Sequence, residues 1–228
     1  MHLSSMNHGA MGSYAIVGAQ LPIAAGAAWS AQYRKSGQVA VCFFGDGATN
    51  IGGFHEALNL AVVWKLPVVF VCENNHYMEY TPISAVTAVK NPAADRAAAS
   101  GLEPVLVNGN DADVMYDVAC RCLARARDGG GPSLIEALTY RQGSHARADT
   151  GDDRPQQEVA AWQARDPIPI YRRRLIESGI ETPVLKVIEG ETLQALDEAT
   201  RIARDSPPAP PDIADTNLWA DGDMAWRN

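Results

Sequence analysis

The sequence predicts an α/β protein built on a parallel sheet with helices on both faces, followed by a C-terminal helical extension. Three observations carry that expectation. Short apolar runs alternate with helical patterns along the chain. The runs are apolar at nearly every position rather than at alternate ones, as strands covered on both faces require. The 228 residues, 46% hydrophobic and 20% charged, are enough for one sizeable core.

Taken in order, residues 16–30 hold Gly18, Ala19, Ala24, Ala25, Gly26, Ala27 and Ala28, so the helix predicted there presses closely on another backbone, in the core or at a subunit contact. Residues 39–44 read as a strand, 54–64 as a helix and 67–72 as the next strand. Further strands are predicted at 104–107 and 134–138, with a helix at 111–127 between them whose Val114, Val118, Cys122 and Ala126 recur every four positions. Gly129-Gly130-Gly131-Pro132 stops that helix. After residue 150 the texture changes. Thr150-Gly151-Asp152-Asp153-Arg154-Pro155 is a polar turn, and Asp166-Pro167-Ile168-Pro169 opens a helix carrying Tyr171 and Leu175. A second C-terminal helix is predicted near 191–204, before Ser206-Pro207-Pro208-Ala209-Pro210-Pro211 enforces an extended path to Leu218-Trp219. The expected organisation is therefore an α/β domain over 1–150 and, over 151–228, C-terminal helices and a proline-rich tail packing on the same domain.

A formal charge of −8 without a basic cluster argues against a nucleic-acid footprint. No apolar stretch reaches the roughly 18 to 20 residues that span a bilayer, and the first residues lack the basic and apolar blocks of a signal peptide. A cytoplasmic protein with no membrane partner is expected. Cys42 and Cys72 lie in strand runs, while Cys120 and Cys122 point to different sides of a helix, so all four read as reduced structural thiols.

The most informative segment is the passage from the 39–44 strand into Gly45-Asp46-Gly47-Ala48-Thr49-Asn50 and then a helix. Such a junction presents backbone N–H groups and a helix N-terminus to an anion such as a diphosphate. A dinucleotide fingerprint wants a third glycine where Asn50 stands and has no use for a carboxylate inside the turn. Asp46 makes sense there with a divalent cation. Magnesium shares about six oxygens between protein, phosphate and water, and Asp46 provides part of that shell. The next strand ends in Glu73-Asn74-Asn75-His76-Tyr77, and adjacent parallel strands bring their carboxyl ends to one sheet edge.

Gly-Asp-Gly, the gap from residue 48 to 73 and Asn-Asn together resemble the shared signature of the thiamine diphosphate enzymes. Within that group, Gly45-Asp46-Gly47-Ala48-Thr49-Asn50, Glu56-Ala57-Leu58-Asn59, Trp64-Lys65-Leu66-Pro67 and Glu73-Asn74-Asn75 resemble the alpha subunit of the two-chain 2-oxo acid dehydrogenases, of the pyruvate, branched-chain and acetoin type. The resemblance runs from Met1 past Asp149 and more weakly into the C-terminal helices, and it implies the thiamine diphosphate-binding fold. It further implies that Asp46, the side chain of Asn75 and the carbonyl of Tyr77 bind Mg2+, that Gly47 and Ala48 offer N–H groups to the diphosphate, and that Asn74 is structural. Ala15 and Val17 match the segment that holds the aminopyrimidine, Ala15 through its carbonyl and Val17 as the apolar wedge that bends the cofactor. Ala15 stands where the family usually has Gly or Ser.

His145, in Thr139-Tyr140-Arg141-Gln142-Gly143-Ser144-His145-Ala146-Arg147-Ala148-Asp149, matches the family's active-site histidine, which hydrogen-bonds the diphosphate or shuttles a proton during acyl transfer. Ser144-His145-Ala146 departs from the usual Gly-His or His-His followed by Ser, and Ala146 lacks the hydroxyl phosphorylated in animal enzymes. His2, His8, His55 and His76 match no family role.

The resemblance implies oxidative decarboxylation of a small, pyruvate-like 2-oxo acid with acyl transfer to a lipoyl-bearing acyltransferase. It also implies a beta subunit in a heterotetramer, because the glutamate that acts on the aminopyrimidine belongs to that chain in the family. Family alpha subunits carry a further N-terminal part, with a Tyr-Arg pair and a histidine, ahead of the segment that opens here at Met1, so a truncated chain, inactive in isolation, is expected. Alternatives are an acetoin dehydrogenase alpha subunit and a shortened, non-catalytic chain. A transketolase-like half shares Gly-Asp-Gly and Asn but fits Thr139-Tyr140-Arg141 with His145 poorly.

Overall fold

The computed structural model describes residues 3–215, and among them the apolar runs form one parallel sheet of four strands. These are β1 (Ala40–Gly45), β2 (Val68–Asn74), β3 (Pro104–Asn108) and β4 (Ser133–Leu138), in the order β1-β2-β4-β3. Strands β1 and β2 are joined by helix α2 (Gly52–Val63), and β3 and β4 by α4 (Ala112–Arg127). The first crossover moves one way along the sheet and the second moves back. Right-handed crossovers of opposite direction put their helices on opposite faces.

That arrangement produces two cores. One face packs α1 (Gln20–Arg34), α2 and α3 (Ala94–Ala99) on the sheet, with Leu21, Phe54, Leu58, Phe70 and Leu134 fully buried. The other packs Val118, Cys122 and Ala126 of α4 against Val69, Val71 and Ile135. Helices therefore lie on both faces, as predicted. Asp111 caps α4 by accepting from the N–H groups of Asp113 and Val114 at 3.2 and 3.3 Å, one of the stronger N-terminal signals a sequence offers.

Several expectations need correction. Helix α1 begins at Gln20, not near residue 16, because Gly18 takes φ +81° and residues 16–19 form a turn. Its far end extends to Arg34. Helices α3 and α5 (Gln156–Gln163) have no counterpart among the predicted elements; both are short and carry weak apolar periodicity. Helix α6 (Pro167–Glu177) is where Asp166-Pro167 suggests, but α7 (Thr182–Asp205) begins well before residue 191, with proline in its first turn. Residues 207–210 carry no regular secondary structure, and the proline run then coils into a 3-10 helix at Pro211–Asp215, while Leu218 and Trp219, like His2, lie outside the described residues.

The chain divides into two compact units, Met1–Tyr171 and Arg172–Asn228. All four cysteines are free thiols; Cys120 is exposed and the others are buried, and burial pushes Cys42 up to about 12. No helix among the described residues is long and apolar enough to cross a membrane.

Candidate functional site

Strand β1 hands its chain to a 3-10 helix at Asp46–Asn50, which leads directly into α2. This turn is tied to itself: the hydroxyl of the fully buried Thr49 donates to the Asp46 carbonyl at 2.7 Å. Asp46 is 1% exposed. Its Oδ1 accepts from the Gly47 N–H at 2.9 Å, whereas its Oδ2 is buried without a hydrogen-bond partner. Burial raises its pKa from 3.8 to about 6, against the opposing pull of the Gly47, Asp46 and His76 N–H groups and with a small further push from the charge of Glu136. A buried carboxylate oxygen left without a partner is expensive. A bound cation removes that cost, so the residues present fit a divalent ion.

Register brings the second strand end alongside. Gly45 pairs with Glu73, so Asp46 and Asn74-Asn75 leave neighbouring strands at the same edge. The chain then folds back on its own amides. Asn74, 2% exposed, accepts the His76 N–H on Oδ1 at 3.1 Å, and Asn75 accepts the Tyr77 N–H on Oδ1 at 3.0 Å. Two successive Asx turns force His76 to φ +71°, a conformation a side chain rarely adopts. Each amide oxygen keeps a second lone pair. A Cβ on Gly47 would sit 3.1 Å from Met78 Cγ, so the two loops touch. The Gly47 N–H, expected to face a diphosphate, is engaged with Asp46 here.

Tyr77 is pinned from behind. Its buried ring is edge-on to Tyr140, and both hydroxyls donate to Oε1 of Glu158 at 2.9 Å. Burial, then the hydrogen bond and charge of Glu158, push Tyr77 up to about 12. Tyr140 stacks on Trp162 at 5.2 Å, and Trp162 also meets His76, whose pKa burial lowers. Between this aromatic group and residues 82–90 lies a cavity of about 680 Å3.

The segment expected to hold an aminopyrimidine reaches the same edge. A Cβ on Gly18 would meet Ile51 Cδ1 at 2.0 Å and Ala48 Cβ at 3.8 Å, and Gln20 Nε2 donates to the Phe43 carbonyl at 3.3 Å. Glycine is thus required at 18 by both conformation and space. Ala48 is buried, Ala15 is exposed and Val17 is 62% exposed. Asp46, Gly47 and Ala48 thus lie beside Gly18 on one side and the residue 74–78 loop on the other.

His145 is exposed and lies beside Tyr80, with ring centroids 6.5 Å apart. Its backbone N–H donates to Asp149 Oδ2 at 2.7 Å; the Gly151 N–H, at 2.8 Å from Oδ1, and that of His145 hold the Asp149 carboxyl below the usual range. The loop is nevertheless strapped to the Tyr77 loop. Arg141 donates to the Met78 and Glu79 carbonyls at 2.8 and 2.9 Å, and the buried Arg154 donates to the carbonyls of Arg141 and Gly143.

Sequence reasoning missed Glu136, Glu158, Arg96 and Arg154. Glu136 had a visible signal, a lone carboxylate inside the apolar run 134–138. The others sit in polar segments where nothing sets them apart. No cluster of three or more His, Cys, Asp or Glu side chains able to hold a metal occurs among the described residues.

Comparison with known proteins matches residues 1–212 to the dehydrogenase E1 component family. The alpha subunit of acetoin:2,6-dichlorophenolindophenol oxidoreductase from Bacillus subtilis is 41% identical, over 91% of this chain and 62% of that protein. The pyruvate dehydrogenase E1 component alpha subunit of Porphyra purpurea is 38% identical over the same shares, 91% and 62%. The 3-methyl-2-oxobutanoate dehydrogenase alpha subunit of Mycobacterium tuberculosis is 44% identical over 72% of this chain and 45% of its own length. The chain thus spans 62% of the length of the first two relatives.

Proposed function

The chain belongs to the dehydrogenase E1 component family, and from that premise we propose that it serves as the alpha subunit of a thiamine diphosphate- and Mg2+-dependent 2-oxo acid dehydrogenase. Its partners are a beta chain, with which it forms a heterotetramer, and a lipoyl-bearing acyltransferase. The observation that carries the cofactor reading is the buried Asp46 carboxylate, with Oδ2 unpartnered, at the sheet edge where Asn75 and Tyr77 emerge.

In this reading Asp46 Oδ2, the Asn75 amide oxygen and the Tyr77 carbonyl would be the protein oxygens that hold the cation. The Ala48 N–H and the start of α2 face the diphosphate, and the Gly47 N–H joins them when Asp46 turns to the ion. Val17 wedges the cofactor and Ala15 receives a hydrogen bond on its carbonyl. Bound thiamine diphosphate supplies the electron sink that decarboxylation needs. His145 would hydrogen-bond the diphosphate or move a proton during acyl transfer.

Acetoin cleavage is a second reading, favoured by the 41% identity to a relative named for acetoin. Calorimetry of the chain with thiamine diphosphate and Mg2+, with and without a beta chain, tests the cofactor site; heat is expected with the beta chain, and none in either case overturns the reading. Assays on pyruvate, branched-chain 2-oxo acids and acetoin, with beta and lipoyl partners present, separate the substrates. Absence of cofactor-dependent turnover on all three defeats both readings.

A further inference from the structure

Strand β4 carries a carboxylate where packing alone asks for an aliphatic side chain. Glu136 is 0% exposed, between Ile135 and Ala137, and a buried acid survives only where its oxygens accept hydrogen bonds. Those bonds run in two directions. Oε1 accepts from the Asn74 amide at 2.6 Å, and Oε2 accepts from the N–H groups of Ala93 and Ala94 at 3.1 and 2.6 Å, at the start of α3. The first bond orients the Asn74 amide so that its oxygen meets the His76 N–H, the contact that shapes the Asn75–Tyr77 loop.

Helix α3 carries the connection onward. Arg96 donates from Nη1 to the Thr49 carbonyl at 2.6 Å and from Nη2 to Asn50 Oδ1 at 2.8 Å, and the Thr49 hydroxyl in turn donates to the Asp46 carbonyl. Hydrogen bonds of a six-residue helix, to Glu136 at its start and from its own Arg96, thus link the two loops, beside their direct contact. We propose that Glu136 and Arg96 are positioning residues, which act through α3 as a brace that sets the Asp46 loop against the Asn75–Tyr77 loop. The proposal rests on reading these loops as the cation and diphosphate site.

Glutamine at 136 has one acceptor oxygen and an NH2 that must face either the Asn74 amide or the α3 N–H groups, donor against donor. Glutamine at 96 loses the fork that spans Thr49 and Asn50. Two measurements on the 228-residue chain test the brace. The first is hydrogen exchange without any ligand, in wild type, Glu136→Gln and Arg96→Gln. Each variant is expected to speed exchange in the loop its residue does not touch, residues 46–50 for Glu136→Gln and 74–78 for Arg96→Gln, while α4 and its strands stay protected. The second is Mn2+ affinity of the same chain with a beta chain and thiamine diphosphate present, read by paramagnetic resonance. Each variant weakens it about tenfold, in the range of supporting groups around metal ligands, and the double variant by about the same factor rather than its square. Faster exchange confined to the loop each residue touches, exchange rising uniformly, or multiplicative losses overturn the brace. Wild type that binds no Mn2+ while exchange still crosses between loops overturns the site reading and leaves the brace. Arg96 is partly exposed, so its variant keeps the test decisive if Glu136→Gln does not fold.

Discussion

Asp46 illustrates how a binding residue acts on the fold that carries it. Its pKa is 3.8 when solvated and about 6 in the folded chain, with burial as the main cause. As pH rises past 4 the unfolded chain releases this proton first, so the folded state loses stability until pH passes about 6. At 1.36 kcal/mol per pKa unit the rise corresponds to about 3 kcal/mol. Urea unfolding of metal-free Asp46→Asn is therefore expected to gain about 2 kcal/mol on wild type between pH 4 and pH 7, the remainder falling below pH 4. Comparing the difference rather than the absolute value cancels the pH-independent effect of the new buried amide. A difference that stays flat with pH would show that the carboxyl is solvated. Gly18 carries the opposite constraint, because it holds φ +81° with Ile51 in the space a Cβ would take. Gly18→Ala is expected to destabilise the chain by about 2 kcal/mol or more, from left-handed strain and overpacking together, read as a fall in melting temperature. Ile51→Val in the same chain removes the atom at 2.0 Å and recovers part of that loss.

Elements are legible in the sequence in proportion to how far a periodic pattern sets them. Strands β1, β2, β3 and β4 fall within two residues of the apolar runs; the central β2 and β4 are buried on both faces, which leaves little choice of residue, whereas the edge strands β1 and β3 keep apolar side chains such as Phe43 and Leu106 exposed. Helix α4 is plain for a related reason, since Val118, Cys122 and Ala126 mark one buried stripe and Asp111 its start. The turn at 16–19 has the composition of a helix, and the left-handed Gly18 that breaks it is a property of the fold. Asp46, Asn74 and Asn75 stand out through the Gly-Asp-Gly and Asn-Asn spacing, whereas the residues that hold them depend on contacts far apart in sequence, such as Asn74 to Glu136 and Tyr77 to Glu158. Helix α5 supplies one of those distant supports. Its Glu158 receives both the Tyr77 and Tyr140 hydroxyls, and it raises both phenols beyond the effect of burial. Glu158→Ala removes the acceptor and the negative charge, so the Tyr77 phenol is expected to ionise below about 12, and Tyr140 to move the same way. Ultraviolet difference titration reads this directly, and unchanged phenol titration would leave burial as the whole cause.

Across the whole sheet, the two faces are not covered alike, and one pair of phenylalanines measures the difference. Neighbouring strands place Cys42 opposite Phe70 and Phe43 opposite Val71, so Phe43 and Phe70 point to opposite faces although they stand one register step apart. Phe70 lies in the larger core beneath α1 and α2 and is fully buried. Phe43 faces the α4 side, where the buried cluster is drawn from β2, β4 and α4, and it stands 61% exposed. The apolar area removed from water on folding is what a truncation forfeits, with a further cost for the cavity where neighbours cannot close in. Phe70→Ala is therefore expected to cost about 3 to 5 kcal/mol, while Phe43→Ala changes stability by under about 1 kcal/mol. Chemical denaturation of the two variants at equal concentration checks the contrast. Equal losses would mean that Phe43 is covered in solution, and a concentration-dependent loss at Phe43 would identify the cover as another molecule, since association shifts apparent stability by mass action.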